Sequence, residues 1–307
     1  MSDRQRTIRI RASKLIVAAA MLVALLQAFT PVRAVSAANA AIVAKATEAA
    51  PSKLERQVTE WVAALSKQKP FKAWQGTDPQ IEALGPGTHS WLVLFSKEGK
   101  DIGYMVVHAV TDGTFQLGEY GTGPFSLFSK TILRRSLVDS GLATAEQLPG
   151  IVAVKHYVHP FAAAWEVTIG DETYWLDAKT AEELPLDGKT WRLLFSEDKP
   201  SYRAPTTTGA KVSALKLNDS FDVYEKLPWL TGETPFNAKD AALLRKRLEG
   251  GKHLRYVTEP FGDAMLYAVP IIGYQRWSNG RMDLAIDMEG NRFIPIGAML
   301  DQGFFYR

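Results

Sequence analysis

Hydrophobic and polar positions change period several times along this chain, and each change marks an element. Leu15 to Ala28 is almost uniformly apolar. From Ser52 the period becomes helical. In SKLERQVTEWVAALSKQ the residues Leu54, Val58, Trp61, Val62 and Leu65 share one face, and Ser52 with Glu55 has capping-box spacing. The period then shortens to that of strands over Trp91–Ser96, Ile102–Val110 and Thr114–Tyr120, with KEGKD and TDG as reversing turns. A helix is expected over 126–139, burying Leu127, Ile132, Leu133 and Leu137 and ending at Gly141.

Further strands are expected at Val152–Val158, Ala163–Ile169 and Thr173–Asp177, the last two joined by a Gly170-Asp171 hairpin. The stretch 198–218 is polar, with two prolines and three successive threonines, and reads as a linker. Beyond it lie an aromatic-rich run from Phe221 to Leu230 and a helix from Asn237 to Gly250-Gly251. Strands follow at Leu254–Val257, Met265–Tyr274, Met282–Asp287 and Arg292–Ile296, with Asn279-Gly280 as a hairpin signal. The expected architecture is α+β, with antiparallel sheets and flanking helices in two domains, 52–197 and a smaller 219–307.

The N-terminal segment changes the charge picture. Arg4, Arg6, Arg9, Arg11 and Lys14 precede the apolar run, and small residues follow Pro31. That order of basic, apolar and small residues predicts a signal peptide over residues 1–40, cleaved after Ala37 or Ala40, with 41–51 as a tether. An uncleaved anchor fits less well, because 14 helical residues reach about 21 Å against a hydrocarbon core of about 30 Å. The expected location is therefore secreted or attached to the cell surface, with membrane contact only through this segment. The whole chain has 36 Lys and Arg against 33 Asp and Glu. Six of those bases and one of those acids fall within residues 1–37, so the remainder holds 30 bases and 32 acids. Nucleic acid is thus not an expected partner.

The chain has no cysteine. Thiol chemistry and Cys-ligated zinc are excluded, stability must come from core burial, and a Gram-positive exterior fits better than a disulfide-forming compartment.

The string WEVTIGDETYWLDAKTAEELP, within residues 163–185, resembles a PepSY-type module. Trp165, Tyr174, Asp177, Ala178, Thr180 and Glu182 match its pattern, with Ala181 standing where the family has glycine. The resemblance implies protein–protein regulation outside the cell. The C-terminal part resembles the closing sheet of bacteriocin-processing, papain-like peptidases, through Gly273-Tyr274 and Asp287. With neither the histidine nor the cysteine of that family in place, this resemblance implies an inactive enzyme.

No catalytic constellation is expected. His156 and His159 are three apart on a strand and point to opposite faces, so neither a metal site nor any cofactor is expected. His89, His108 and His253 have no partner that spacing selects, and no Gly-x-Ser-x-Gly occurs. The cations Arg245, Lys246 and Arg247 sit near a helix end, where they offset the dipole. Tyr224, Trp229, Tyr274 and Trp277 are the candidate binding residues, with Trp277 at a hairpin tip and expected to be exposed. Two readings follow. One is an exported, non-enzymatic protein that binds a protein or peptide. The other is a hydrolase of cell-wall glycan or peptide, using carboxylates drawn from Glu119, Asp177, Glu182, Glu183 and Asp287.

Overall fold

Short apolar runs and turn glycines build the meander that the pattern predicts. In the computed structural model, which describes residues 51–196, 204–236 and 241–307, four strands pair antiparallel in sequence order. They are β1 (Gln80–Ala83), β2 (Ser90–Lys97), β3 (Lys100–Ala109) and β4 (Phe115–Thr122). Helix α1 (Pro51–Leu65) precedes them and buries Val58, Trp61 and Leu65. A 3-10 turn at Lys69–Trp74 then lays aromatic rings on the sheet, with Trp74 stacked on Phe95 at 4.3 Å.

Helix α2 (Lys130–Asp139) leads to a separate three-stranded sheet of β5 (Val152–His159), β6 (Ala162–Ile169) and β7 (Glu172–Asp177). This sheet is buried on both faces. Ala163, Trp165 and Val167 pack with Leu92, Leu94, Val106 and the α2 residues Leu133 and Leu137. Ala162 and Ala164 point the other way, into a core that holds Trp175, Tyr256, Ile271, Leu284 and Ile294. The alanine run of β6 permits close approach on that second face.

The remaining elements are α3 (Gly188–Ser196), β8 (Val212–Leu217), α4 (Ala241–Glu249), β9 (Arg255–Thr258), β10 (Pro260–Asp263), β11 (Tyr267–Trp277), β12 (Met282–Asp287), β13 (Asn291–Pro295), α5 (Ile296–Leu300) and β14 (Gly303–Tyr306). The large sheet has the order β1-β2-β3-β4-β13-β12-β11-β9-β14, with β8 also pairing β11. The α+β class with antiparallel sheets is as expected.

The expected split into two domains is not what the described residues form. Tyr120 pairs with Phe293 and Gly121 with Arg292, so β4 and β13 carry one sheet through both halves. Residues 57–307 cluster as a single unit. Part of the expected linker is itself a strand, because β8 finds the free edge of β11 from Gly273 to Trp277. The signal segment 1–40, the tether up to residue 50, residues 198–203 and Asn237 lie outside the described residues, and Pro51 is the first residue of α1. Among the described residues, no helix is long and apolar enough to cross a membrane.

Candidate functional site

A cavity of about 480 Å³ opens where the start of β2, the ends of β3 and β5, and α5 converge. Its polar groups include His89, Ser90, His108, Gln116, Glu119 and His159. Three of the five histidines of the chain are therefore at one place. Among the described residues, no lysine or arginine lines the cavity.

Ser90 and His108 are cross-strand partners on β2 and β3. Their facing depends on a bulge between Phe95 and Ser96, which shifts the hairpin register by one residue. Ser90 Oγ lies 2.7 Å from His108 Nδ1. The His108 ring lies over Gly118, where a Cβ would come 2.7 Å from Nε2. Only a residue without a side chain fits beneath it. Burial, and then the nearby Arg281 charge, lower the His108 imidazole to about 4, so it is neutral at ordinary pH.

The charge of Arg281 is held in place by a buried network. Its Nε donates to Asp283 Oδ1 at 2.7 Å, and its other nitrogens donate to the carbonyls of Leu117 and Gly118, the latter at 2.7 Å. Asp283 Oδ2 also accepts from Tyr120 Oη at 2.7 Å and from Trp277 Nε1 at 2.8 Å. The network fixes the β4 backbone on which the His108 ring rests.

Glu119, at the floor of the cavity, is saturated. It accepts from Arg292 Nε, from Arg292 Nη2 at 2.9 Å, from Tyr157 Oη at 3.1 Å and from Tyr104 Oη at 3.3 Å. Burial, and then the Glu119 charge, push both tyrosines well above the usual phenol range. Burial alone would lower the Arg292 guanidinium, but Glu119 and the two tyrosines outweigh it and raise it. The floor is thus a neutralised pair and not a free acid.

The other expected carboxylates do not join Glu119 in lining the cavity. Asp177 is buried at a turn, where Oδ1 accepts from the amides of Lys179 at 2.7 Å and Thr180 at 2.8 Å. Its Oδ2 accepts from Tyr267 Oη at 2.6 Å. Ala181 closes that turn at φ 56°, the left-handed conformation glycine favours. Next to Asp177, burial and the Arg292 charge lower the Lys179 ammonium to about 8, while its Nζ donates to Phe125 O. Glu182 and Glu183 are exposed and Asp287 is half-buried.

The four expected binding residues fall in different surroundings. Trp277 is 1% exposed, which corrects the expectation of an exposed hairpin tip. The hairpin is flanked by β8, and Asp283 Oδ2 accepts a hydrogen bond from the indole N–H. Tyr274 is also buried and donates to Glu249 at 2.8 Å. Tyr224 is exposed and Trp229 half-buried, with ring centroids 6.3 Å apart. Neither is among the cavity-lining residues. His156 binds Glu166 at 2.7 Å against Trp175 and Trp191, whereas His159 lines the cavity.

The Ser90–His108 contact has the distance of a nucleophile and its base. A base with a pKa near 4 takes a proton poorly at neutral pH, and among the described residues no carboxylate is hydrogen-bonded to the His108 ring. The arrangement therefore serves hydrogen bonding better than proton transfer. No family model matches the chain, and no curated protein is significantly similar to it.

Proposed function

We propose that this is a binding protein exported from the cell, acting on a protein or peptide partner outside the cytoplasm, and that the Ser90–His108 cavity receives part of that partner. The carrying observation is the cavity itself. It is large enough for a small organic ligand and lined by polar groups, among which the His108 imidazole is held neutral and Glu119 is paired with Arg292. The signal-like N-terminus supports the location, and the resemblance of residues 163–185 to a PepSY-type module supports regulation through binding. The alternative, a carboxylate hydrolase, needs two converging acids. Glu119 reaches the cavity already paired with Arg292, and the other expected acids are not among its lining residues.

The test is to incubate the secreted protein with a random hexapeptide library and identify the retained peptides by mass spectrometry. Intact peptides should be retained by the native protein and lost with Ser90→Trp, which puts a large ring on the cavity face of β2 beside His108. Cleaved peptides, or equal retention by both proteins, would contradict the proposal.

A further inference from the structure

The buried arginines beside the cavity are each matched by an acid, Arg292 by Glu119 and Arg281 by Asp283. A third buried arginine is not. Arg255 on β9 is 1% exposed, and its Nε and Nη1 donate to the main-chain oxygens of Val223 at 3.0 Å and Arg307 at 3.1 Å. Its Nη2 is buried with no hydrogen-bond partner among the described residues. The guanidinium lies over the Phe221 ring, 5.0 Å from the centroid. A buried charge is ordinarily paired with an opposite one.

Two more cations meet at the same place. Arg247, in the last turn of α4, is half-buried, and its Nε donates to His253 O at 3.1 Å. Neither of its Nη groups makes a hydrogen bond among the described residues. The His253 ring stacks on Phe221, with centroids 4.0 Å apart. Arg307, the exposed residue after β14, has its guanidinium 5.3 Å from the centroid of Phe236. Burial, and then the Arg307 charge, lower the Arg247 guanidinium, and no described acid offsets them. Among the described residues, no acidic side chain forms an ion pair with Arg247, Arg255 or Arg307.

A helix C-terminus favours cations, which accounts for Lys246 and Arg247. It does not account for Arg255 and Arg307, which come from β9 and the end of β14. Like charges gathered without an acid cost stability, and guanidinium groups offer donors and no acceptor. The place suits a group with several acceptor oxygens and more than a single charge. A phosphate monoester has both, whereas a carboxylate has fewer oxygens and one charge.

We infer that Arg247 and Arg307, with the buried charge of Arg255 beside them, form a binding site for a phosphate monoester group, presented by a free ester or by a lipid headgroup. The His253 carbonyl and the Phe221 and Phe236 rings hold the three guanidinium groups, so binding has less to order. None of the three arginines lines the Ser90–His108 cavity, so this site is separate from the one proposed above.

The test labels the protein with ¹⁵N-histidine and titrates it at fixed pH with glycerol 3-phosphate, sodium acetate or sodium chloride at matched ionic strength. Glycerol 3-phosphate should shift the His253 imidazole signals and leave those of His108 in place. Acetate and chloride should bind at least about tenfold more weakly. Arg247→Gln and Arg307→Gln should each weaken glycerol 3-phosphate by about tenfold or more, the loss of a charge-assisted hydrogen bond. Should Arg247→Gln fail to fold, Arg307→Gln carries the test, because that side chain is exposed. Cosedimentation with phosphatidylcholine vesicles containing phosphatidic acid then identifies the source. Capture that glycerol 3-phosphate competes away points to a headgroup, and no capture points to a free ester. An unmoved His253, an equal response to acetate or chloride, or an unaltered affinity in Arg307→Gln would overturn the inference and leave the cavity reading standing.

Discussion

The His108 proton affinity follows from what surrounds the ring: a half-buried position, Ser90 on Nδ1, the Tyr157 ring at 6.0 Å between centroids, and the Arg281 charge nearby. This has a measurable consequence for stability. The unfolded chain takes a proton on this histidine near pH 6.5, whereas the folded protein refuses it down to about 4. Between those values the unfolded state binds more protons, so folding stability rises with pH. The contribution is complete above pH 6.5 and is lost progressively as pH falls toward 4. His108→Gln, which cannot titrate, should flatten this part of the profile. The difference between the two proteins should reach up to about 3 kcal/mol across the window, read by denaturant unfolding at a series of pH values. Parallel profiles would show that His108 titrates normally. At this scale the sequence was least informative. Its histidines carried no spacing that selects Ser90, because the pairing depends on the Phe95–Ser96 bulge and not on separation along the chain.

Most elements were legible because their apolar period survives intact. The meander β2–β4, the hairpin β6–β7 and the strands β11–β13 all follow short apolar or alternating stretches bounded by turn residues. The failures are elements whose stability comes from a neighbour. Strand β8 is polar enough to read as a linker, yet it pairs with β11 through five residues, from Gly273 with Leu217 to Trp277 with Val212. Trp277 sits beside a strong turn signal, but β8 and Asp283 enclose it. The contact between these strands is close at Gly273, where an added Cβ would lie 2.0 Å from Lys216 O. Backbone cannot yield that distance cheaply. Gly273→Ala should therefore loosen β8, cost about 1–3 kcal/mol, and expose residues 204–217 to limited proteolysis. An unaltered cleavage pattern would mean that β8 is not held by this contact.

For the molecule as a whole, the joint between β4 and β13 and the doubly buried sheet β5–β7 make one folding unit from the two halves that the sequence suggested. The interior face of β6 has alanines on the side facing the C-terminal half, a signal that alternation alone did not reveal. Residues 57–307 should unfold in one cooperative transition, with fluorescence and circular dichroism midpoints coinciding. Two separable transitions would restore a two-domain division. This unity also builds the cavity, whose lining comes from β2, β3, β4 and β5 on one side and from β10 and α5 on the other. Neither half alone supplies both walls.

The most direct measurement is an NMR titration of the protein with a peptide retained from the library, following the His108 imidazole and the Trp229 indole together. The cavity account predicts that His108 shifts in proportion to bound peptide while Trp229 stays in place. A shift of Trp229 with His108 unmoved would place binding on the exposed aromatic surface and contradict it.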